Sequence, residues 1–418
     1  MATPFATQFT LLFLLFLVAT TATRLWLARR HVRHVSAHRD AVPARFAAHI
    51  ALDAHQKAAD YTVAKTRFGI LAIVVDALLL LGLTLGGGLQ LLHELIATHL
   101  SGLAYGLALI FSVMIVSAVV DLPFSLYRQF GIETRFGFNR MTPGLFVADL
   151  GKQILLTLLI GTPVILAVLW LMDAMGNLWW LYVWLFWCAF NLLALFVYPT
   201  WIAPLFNKFT PLADPAMQAR IEALLERCGF HASGLFVMDG SKRSSHGNAY
   251  FSGFGRNKRI VFFDTLLERL QPGEIEAVLA HELGHFSRRH VIKRIALIFA
   301  LTLAFLAALG LLIDAPWFYQ GLGVASGNTA MALILFFLAA PVFTFAFSPL
   351  ASLLSRRHEY EADAYAAEHA NADDLIRALV KLYEDNAATL TPDPMHSLFY
   401  DSHPPAALRI AHLQGEPS

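Results

Sequence analysis

Seven long apolar runs alternate with polar stretches along this chain: Phe9 to Leu27, Ile70 to Leu92, Leu103 to Leu122, Leu155 to Met172, Leu178 to Pro199, Ile295 to Ile313 and Met331 to Leu354. As a helix rising about 1.5 Å per residue, each run is long enough to cross a hydrocarbon core of ~30 Å. The first is not a signal peptide: it lacks a basic start, and arginines follow it instead of a small-residue cleavage site. The interval from Ile202 to Arg294 has shorter periods. Ala213 to Cys228 predicts an amphipathic helix with Met217, Ile221, Leu224 and Leu225 on one face. Leu235 to Met238 and Arg259 to Phe263 predict short strands, with a glycine-punctuated strand and turn at Asn248 to Gly255 between them. From Pro272, a first-turn proline, apolar Ile275, Val278, Leu279, Leu283 and Phe286 recur at helical spacing. No internal repeat or low-complexity segment interrupts this order.

Composition agrees with the runs. The 418 residues are 57% hydrophobic and 15% charged, with a mean hydropathy of +0.56. That profile belongs to integral membrane proteins. A formal net charge of +1 gives no case for nucleic-acid binding. Charge is instead segregated. Arg24, Arg29, Arg30, Arg33, Arg39 and Arg45 end or follow the first run, and Arg128, Arg135 and Arg140 follow the third. Gln90 to Ser101, Met172 to Asn177 and Asp314 to Thr329 hold no Lys or Arg. The positive-inside rule then sets the N-terminus outside and the C-terminus and the 202–294 interval on the cytoplasmic side. The alanine- and arginine-rich composition points to a bacterial inner membrane. Two cysteines, Cys188 in an apolar run and Cys228 in a polar region, argue against a disulfide framework. They also leave any metal site to His and carboxylate ligands.

The candidate chemistry lies at His281-Glu282-Leu283-Gly284-His285, an HExxH pattern. Four residues turn a helix by about 400°, so both imidazoles share a face and can bind one Zn²⁺, with Glu282 beside its water as general base. By itself the pattern also fits a helix with a merely polar face. Catalytic zinc needs a third protein ligand. On a continuous helix His290 lies about 180° round from His281 and points away. The extended zincin spacing fails too, because position 288 is Arg and position 291 is Val. The better candidates follow the seventh run, in Ser355-Arg356-Arg357-His358-Glu359-Tyr360-Glu361-Ala362-Asp363-Ala364. Glu359 and Asp363 share a helical face, so one can ligate zinc while the other orients a ligand histidine; spacing leaves open which. Glu361 points roughly opposite. The bland alternative is a solvated charged helix with an Arg357–Glu361 surface pair.

At these residues the chain resembles the integral-membrane zinc metallopeptidases of the type I CAAX prenyl protease kind. The resemblance rests on HELGH at 281–285 and EYEADAYA at 359–366. It extends to SKRSSHGNAYFSG at 241–253, YPTWIAPLFNKFTPL at 198–212, FGIETRFGFNRMTP at 130–143 and SHPPAALRIAHL at 402–413. It implies one zinc per chain held by His281, His285 and Glu359, Glu282 as catalytic base, and Asp363 supporting a ligand histidine. It further implies that His403 and Arg409 contact the substrate or the developing oxyanion. Asn248, Ala249, Tyr250 and Phe251 would lie beside bound peptide as an edge strand. A water-filled chamber walled by seven helices would face the zinc.

The expected architecture is mostly α: seven transmembrane helices enclosing a chamber, with a small α+β zincin-like domain on the cytoplasmic side. Its parts are residues 1–201 (spans 1–5), 202–294 (the soluble insertion), 295–354 (spans 6–7) and 355–418 (the tail with the third ligand). The expected activity is zinc-dependent endopeptidase cleavage of membrane-associated, misfolded or lipidated polypeptides. Its partners are then peptide substrate and membrane lipid, with no oligomer required. Seven spans around a cavity also fit a transporter or channel, for which an intramembrane charge such as Asp76 would be a mark. A scaffold that has lost its chemistry would lack one of the His or Glu residues, and none is missing.

Overall fold

In the computed structural model, which describes residues 4–252, 259–325 and 327–415, seven helices are long and apolar enough to cross a membrane. They are Pro4–Ala37, Leu52–Leu83, Gly102–Glu133, Pro143–Ala174, Gly176–Phe206, His290–Leu312 and Thr329–His369. Spans 1, 2 and 7 run well past their apolar stretches. Their polar ends bury residues of their own, including His31, His55, Tyr61 and Glu359. The second apolar run is two elements rather than one. Its helix stops at Leu83, the chain turns through Gly87 at φ 79°, and a short helix Gly88–Ala97 takes up the rest. A positive φ is open to glycine at little cost, so hydrophobicity continues here while the helix does not. Spans 1 and 3–7 meet around Phe13, Leu109, Leu169, Trp179, Leu309 and Leu335. A cavity of about 700 Å³ opens between spans 1, 2, 3 and 7, where Arg24 and Asp76 approach to 4.0 Å. A second, of about 440 Å³ and almost wholly apolar, lies between spans 3 to 7.

Between spans 5 and 6 sits a four-stranded sheet of β1 (Phe209–Pro211), β2 (Gly234–Met238), β3 (Ala249–Ser252) and β4 (Arg259–Phe263), in the order β1-β2-β4-β3. β2 and β4 are parallel; the other two pairs are antiparallel. β1 is absent from the sequence reading because three residues ending in proline carry no period. The expected turn at 253–255 lies outside the described residues. The amphipathic helix is Pro215–Arg227, capped by the Asp214 carboxylate accepting from the Ala216 and Met217 N–H groups. Its Ile221 and Leu224 pack with Ile260 and Phe262 of the sheet, with Leu279 and Leu283 of the next helix, and with Tyr365 of the span 7 extension. This second core joins the sheet, the HExxH helix and the tail. Arg243 ties the layer to the spans: its guanidinium donates to both oxygens of buried Asp149 at 2.9 and 3.1 Å and to Asn207 at 2.8 Å.

Candidate metal centre

The HExxH helix runs from Pro272 to Ser287 and is started by a reciprocal cap, in which the Gln271 N–H donates to the Glu274 carboxylate at 2.7 Å. Two glutamates of this helix are buried, and each has cations brought by a neighbour. Lys381 donates to Glu274 at 2.8 Å; Arg227, at 2.6 Å, and Arg220 both donate to Glu276. The helix is thereby pinned at its N-terminal end, two turns before its histidines. On the histidine side it packs against the helix Ser348–His369. Gly284 makes that approach possible, since a Cβ there would stand 2.9 Å from the Ala362 Cα. Ala280 and Ala362, both fully buried, continue the close contact. Small residues at the crossing bring the Glu359 and Asp363 carboxylates up to the two imidazoles.

One ligand atom each from His281, His285 and Glu359 fall within 4.8 Å of one another. His281 Nε2 is 3.4 Å from Glu359 Oε2, and His285 Nε2 is 3.4 Å from Glu359 Oε1. A tetrahedral ion with bonds of about 2.0–2.1 Å needs ligand atoms about 3.3–3.4 Å apart. The buried Glu359 Oε2 has no hydrogen-bond partner, an orphaned acceptor that a cation would satisfy. Two imidazoles and a carboxylate are also a suitable donor set for Zn²⁺. By these three measures the residues fit the ion.

Charge tells the same story. Burial disfavours the charged form of His281, yet its hydrogen bond to Asp363 and the Glu359 carboxylate 3.4 Å away win, and its pKa is raised to about 9. Such a pocket favours positive charge. His285 goes the other way, lowered to about 4 by burial and then by the His281 charge, so its ring is neutral and able to bind metal. Burial raises the Glu282 carboxyl, with the nearby Glu359 charge adding to it, as suits a general base. Glu282 has no hydrogen bond or ion pair among the described residues and is free to engage a water.

The tail closes the site. His281 Nδ1 donates to Asp363 Oδ1 at 2.8 Å, so Asp363 takes the nitrogen facing away from Glu359. Arg409, on the helix Ala406–Leu413, is turned to Asp363. Its side chain is 8% exposed and its guanidinium clamps both Asp363 oxygens at 2.8 and 2.5 Å. Its remaining nitrogen stands 3.9 Å from Glu359 Oε2. His403 is exposed, with Nε2 3.4 Å from Glu359 Oε1 and facing the donor set. Ala249, Tyr250 and Phe251 lie on an edge strand, since among the described residues β3 pairs only with β4. Asn248 precedes it, its carbonyl accepting from the Phe263 N–H at 2.9 Å. The Phe251 ring packs on Phe286 at 5.1 Å, which sets the strand beside the ligand helix.

Two residues dismissed from the sequence are in contact with the site. The HExxH helix ends at Ser287, and a turn at Arg289 starts a new helix at His290. The angular argument that turned His290 away assumed one unbroken helix. Instead His290 Nδ1 meets His285 Nδ1 at 3.0 Å, and Glu361 reaches His290 Nε2 at 3.0 Å. The available signal was the basic pair Arg288-Arg289 just before a new apolar run.

A family model described as CAAX prenyl protease N-terminal, five membrane helices, matches residues 31–208, and one described as Peptidase family M48 matches residues 211–417. The CAAX prenyl protease 1 homolog of Caenorhabditis elegans is 32% identical over 437 residues, covering 96% of this chain and 97% of its own length. CAAX prenyl protease 1 of Saccharomyces cerevisiae is 38% identical over 315 residues, 71% of this chain and 69% of the yeast protein. The crystal structure of S. mikatae Ste24p matches with a TM-score of 0.90 at 32% identity, covering 97% of this chain and 99% of that one.

Proposed function

The chain belongs to the CAAX prenyl protease 1 family of M48 metallopeptidases, and from that premise we propose how its own residues carry out zinc-dependent peptide cleavage at the membrane. His281, His285 and Glu359 would hold one zinc. When bound, the ion supplies Lewis acidity, polarising a scissile carbonyl and lowering the pKa of a water in its open position. Glu282 takes the proton of the attacking water and delivers it to the leaving amine. His403, exposed and facing the donor set, donates to the oxyanion as charge develops there, an effect worth a few kcal/mol per donor, about 2.7–4 where measured. Arg409 acts one step back, since its guanidinium is engaged by Asp363; it fixes the carboxylate that fixes His281. An extended substrate adds to β3 through main-chain hydrogen bonds, with Asn248 at its start.

The observation that carries this reading is the convergence of the two histidines and Glu359 with an unpartnered Glu282 beside them. The substrates we propose are membrane-associated polypeptides, lipidated or misfolded, entering from the side toward which the basic loops face, the cytoplasmic one. The relatives are named for prenylated CAAX substrates; a bacterial inner-membrane setting, read from composition, favours the broader class. A transporter reading finds no support among these relatives. The test is Glu282→Gln in the purified full chain, assayed for zinc content and for cleavage of a generic peptide. Retained zinc with nearly all turnover lost is expected. Full turnover in that variant would remove Glu282 as the base.

A further inference from the structure

We propose that His290 is a positioning residue for the second histidine of the metal site, acting in a relay that runs Glu361–His290–His285. The proposal builds on His285 being a metal ligand.

Proton bookkeeping carries it. His285 Nε2 faces Glu359 across 3.4 Å, so a neutral ring that offers this lone pair to a metal keeps its proton on Nδ1. That Nδ1 is 3.0 Å from His290 Nδ1. Two imidazole nitrogens bond only as N–H to N, so His290 Nδ1 accepts and its own proton sits on Nε2. There Glu361 Oε2 accepts it at 3.0 Å. Every donor in the chain meets one acceptor. Reversing the order would set the Glu361 carboxylate against a bare nitrogen lone pair and drive the His285 proton onto the nitrogen that faces Glu359. A carboxylate two rings away thereby selects the tautomer in which His285 can bind metal.

The surroundings are built to hold this order. His290 is 4% exposed, and its ring stacks on that of His358 at 4.0 Å with an interplanar angle of 12°. Arg357 Nε donates to the other Glu361 oxygen at 3.1 Å. The backbone contributes too. Arg289, with φ 58°, is one of two non-glycine residues at positive φ among the described residues. Left-handed backbone at a non-glycine residue is sparsely populated and persists only where surrounding structure requires it. Here it breaks the helix and returns His290 beneath His285. Span 6 thus starts with a residue that touches a metal-site histidine.

The test uses the purified full chain in two opposed variants. His290→Phe keeps the flat ring against His358 but cannot accept a hydrogen bond. His290→Gln loses the ring, yet its carbonyl can accept from His285 and its amide can donate to Glu361. Zinc affinity is read by chelator competition, and site geometry by the absorption spectrum of the Co²⁺-substituted protein. Phe should weaken zinc binding about 10–100-fold and shift the cobalt bands; Gln should stay close to the parent in both. At saturating zinc the Phe variant should lose kcat with little change in KM. Glu361→Gln, at the partly exposed end of the relay, should weaken zinc in the same direction but less. His290→Phe with unchanged zinc affinity and cobalt spectrum overturns the relay and leaves His290 as packing alone. His285→Ala is the control: unchanged zinc there would instead overturn the ligand reading beneath it.

Discussion

The two histidines of the metal site lie one helical turn apart and stand at the same 3.4 Å from Glu359, yet they are held by different means. His281 leans on a charged carboxylate, Asp363, whose side chain is 0% exposed and which is locked by the buried guanidinium of Arg409. That arginine lies far along the chain, on the tail helix, so the His281 side forms only when the tail has docked. His285 leans on the His290 ring five residues onward, backed by Glu361, whose side chain is 32% exposed. Its support reaches solvent and does not involve the tail helix. One side of the site is therefore coupled to tail docking, and the other to the junction of the HExxH helix with span 6, backed by the span 7 helix. A buried ion pair loses heavily when one partner is removed, because the other is left charged and unpaired; a neutral hydrogen bond near solvent loses much less.

The sharpest break in this comparison comes from the two arginines that end the two chains of contacts. Arg409→Ala strands the Asp363 charge and should destabilise the protein by about 3–5 kcal/mol, lowering its thermal midpoint even without zinc. An unchanged midpoint would mean that the His281 side is not coupled to tail docking. Next in size, Asp363→Asn removes the charge but keeps shape and one acceptor oxygen. It should lower zinc affinity or turnover about 10–100-fold while the protein stays folded; chelator competition beside a peptide assay measures both. Parent-like values for both would assign the orientation of His281 to something other than Asp363. Smallest is Arg357→Ala. Its side chain is 78% exposed and it pairs with Glu361 one turn along the same helix, where such pairs add little and are screened by salt. Neither the melting temperature nor the zinc content should move measurably. A loss as large as that of Arg409→Ala would erase the asymmetry.

Much of this was legible in the chain, and for stated reasons. Lipid tolerates only helices with uninterrupted apolar surface, so seven runs became seven spans. The four-residue spacings of His281 with His285, and of Glu359 with Asp363, placed each pair on one face. Which carboxylate faces Nε2 and which faces Nδ1 depends on how two helices cross at Gly284, and that is tertiary information. The break after Leu83 hid inside continuous hydrophobicity, although three consecutive glycines mark it. The Asp363–Arg409 clamp was not legible, because a buried guanidinium cannot be told from an exposed one without knowing that Asp363 waits for it. His290 was missed because the basic pair Arg288-Arg289 marks the start of a new run but not the left-handed turn that Arg289 adopts.

The most direct measurement is the zinc bound by Glu359→Gln and Glu361→Gln, purified side by side and compared with the parent chain. The two glutamates lie two positions apart on one helix, and only the first turns its carboxylate to the ring nitrogens that face the metal site. The parent should carry one zinc per chain, Glu359→Gln should lose it, and Glu361→Gln should keep it with a modestly weaker affinity. Full zinc in Glu359→Gln together with its loss in Glu361→Gln would contradict the account.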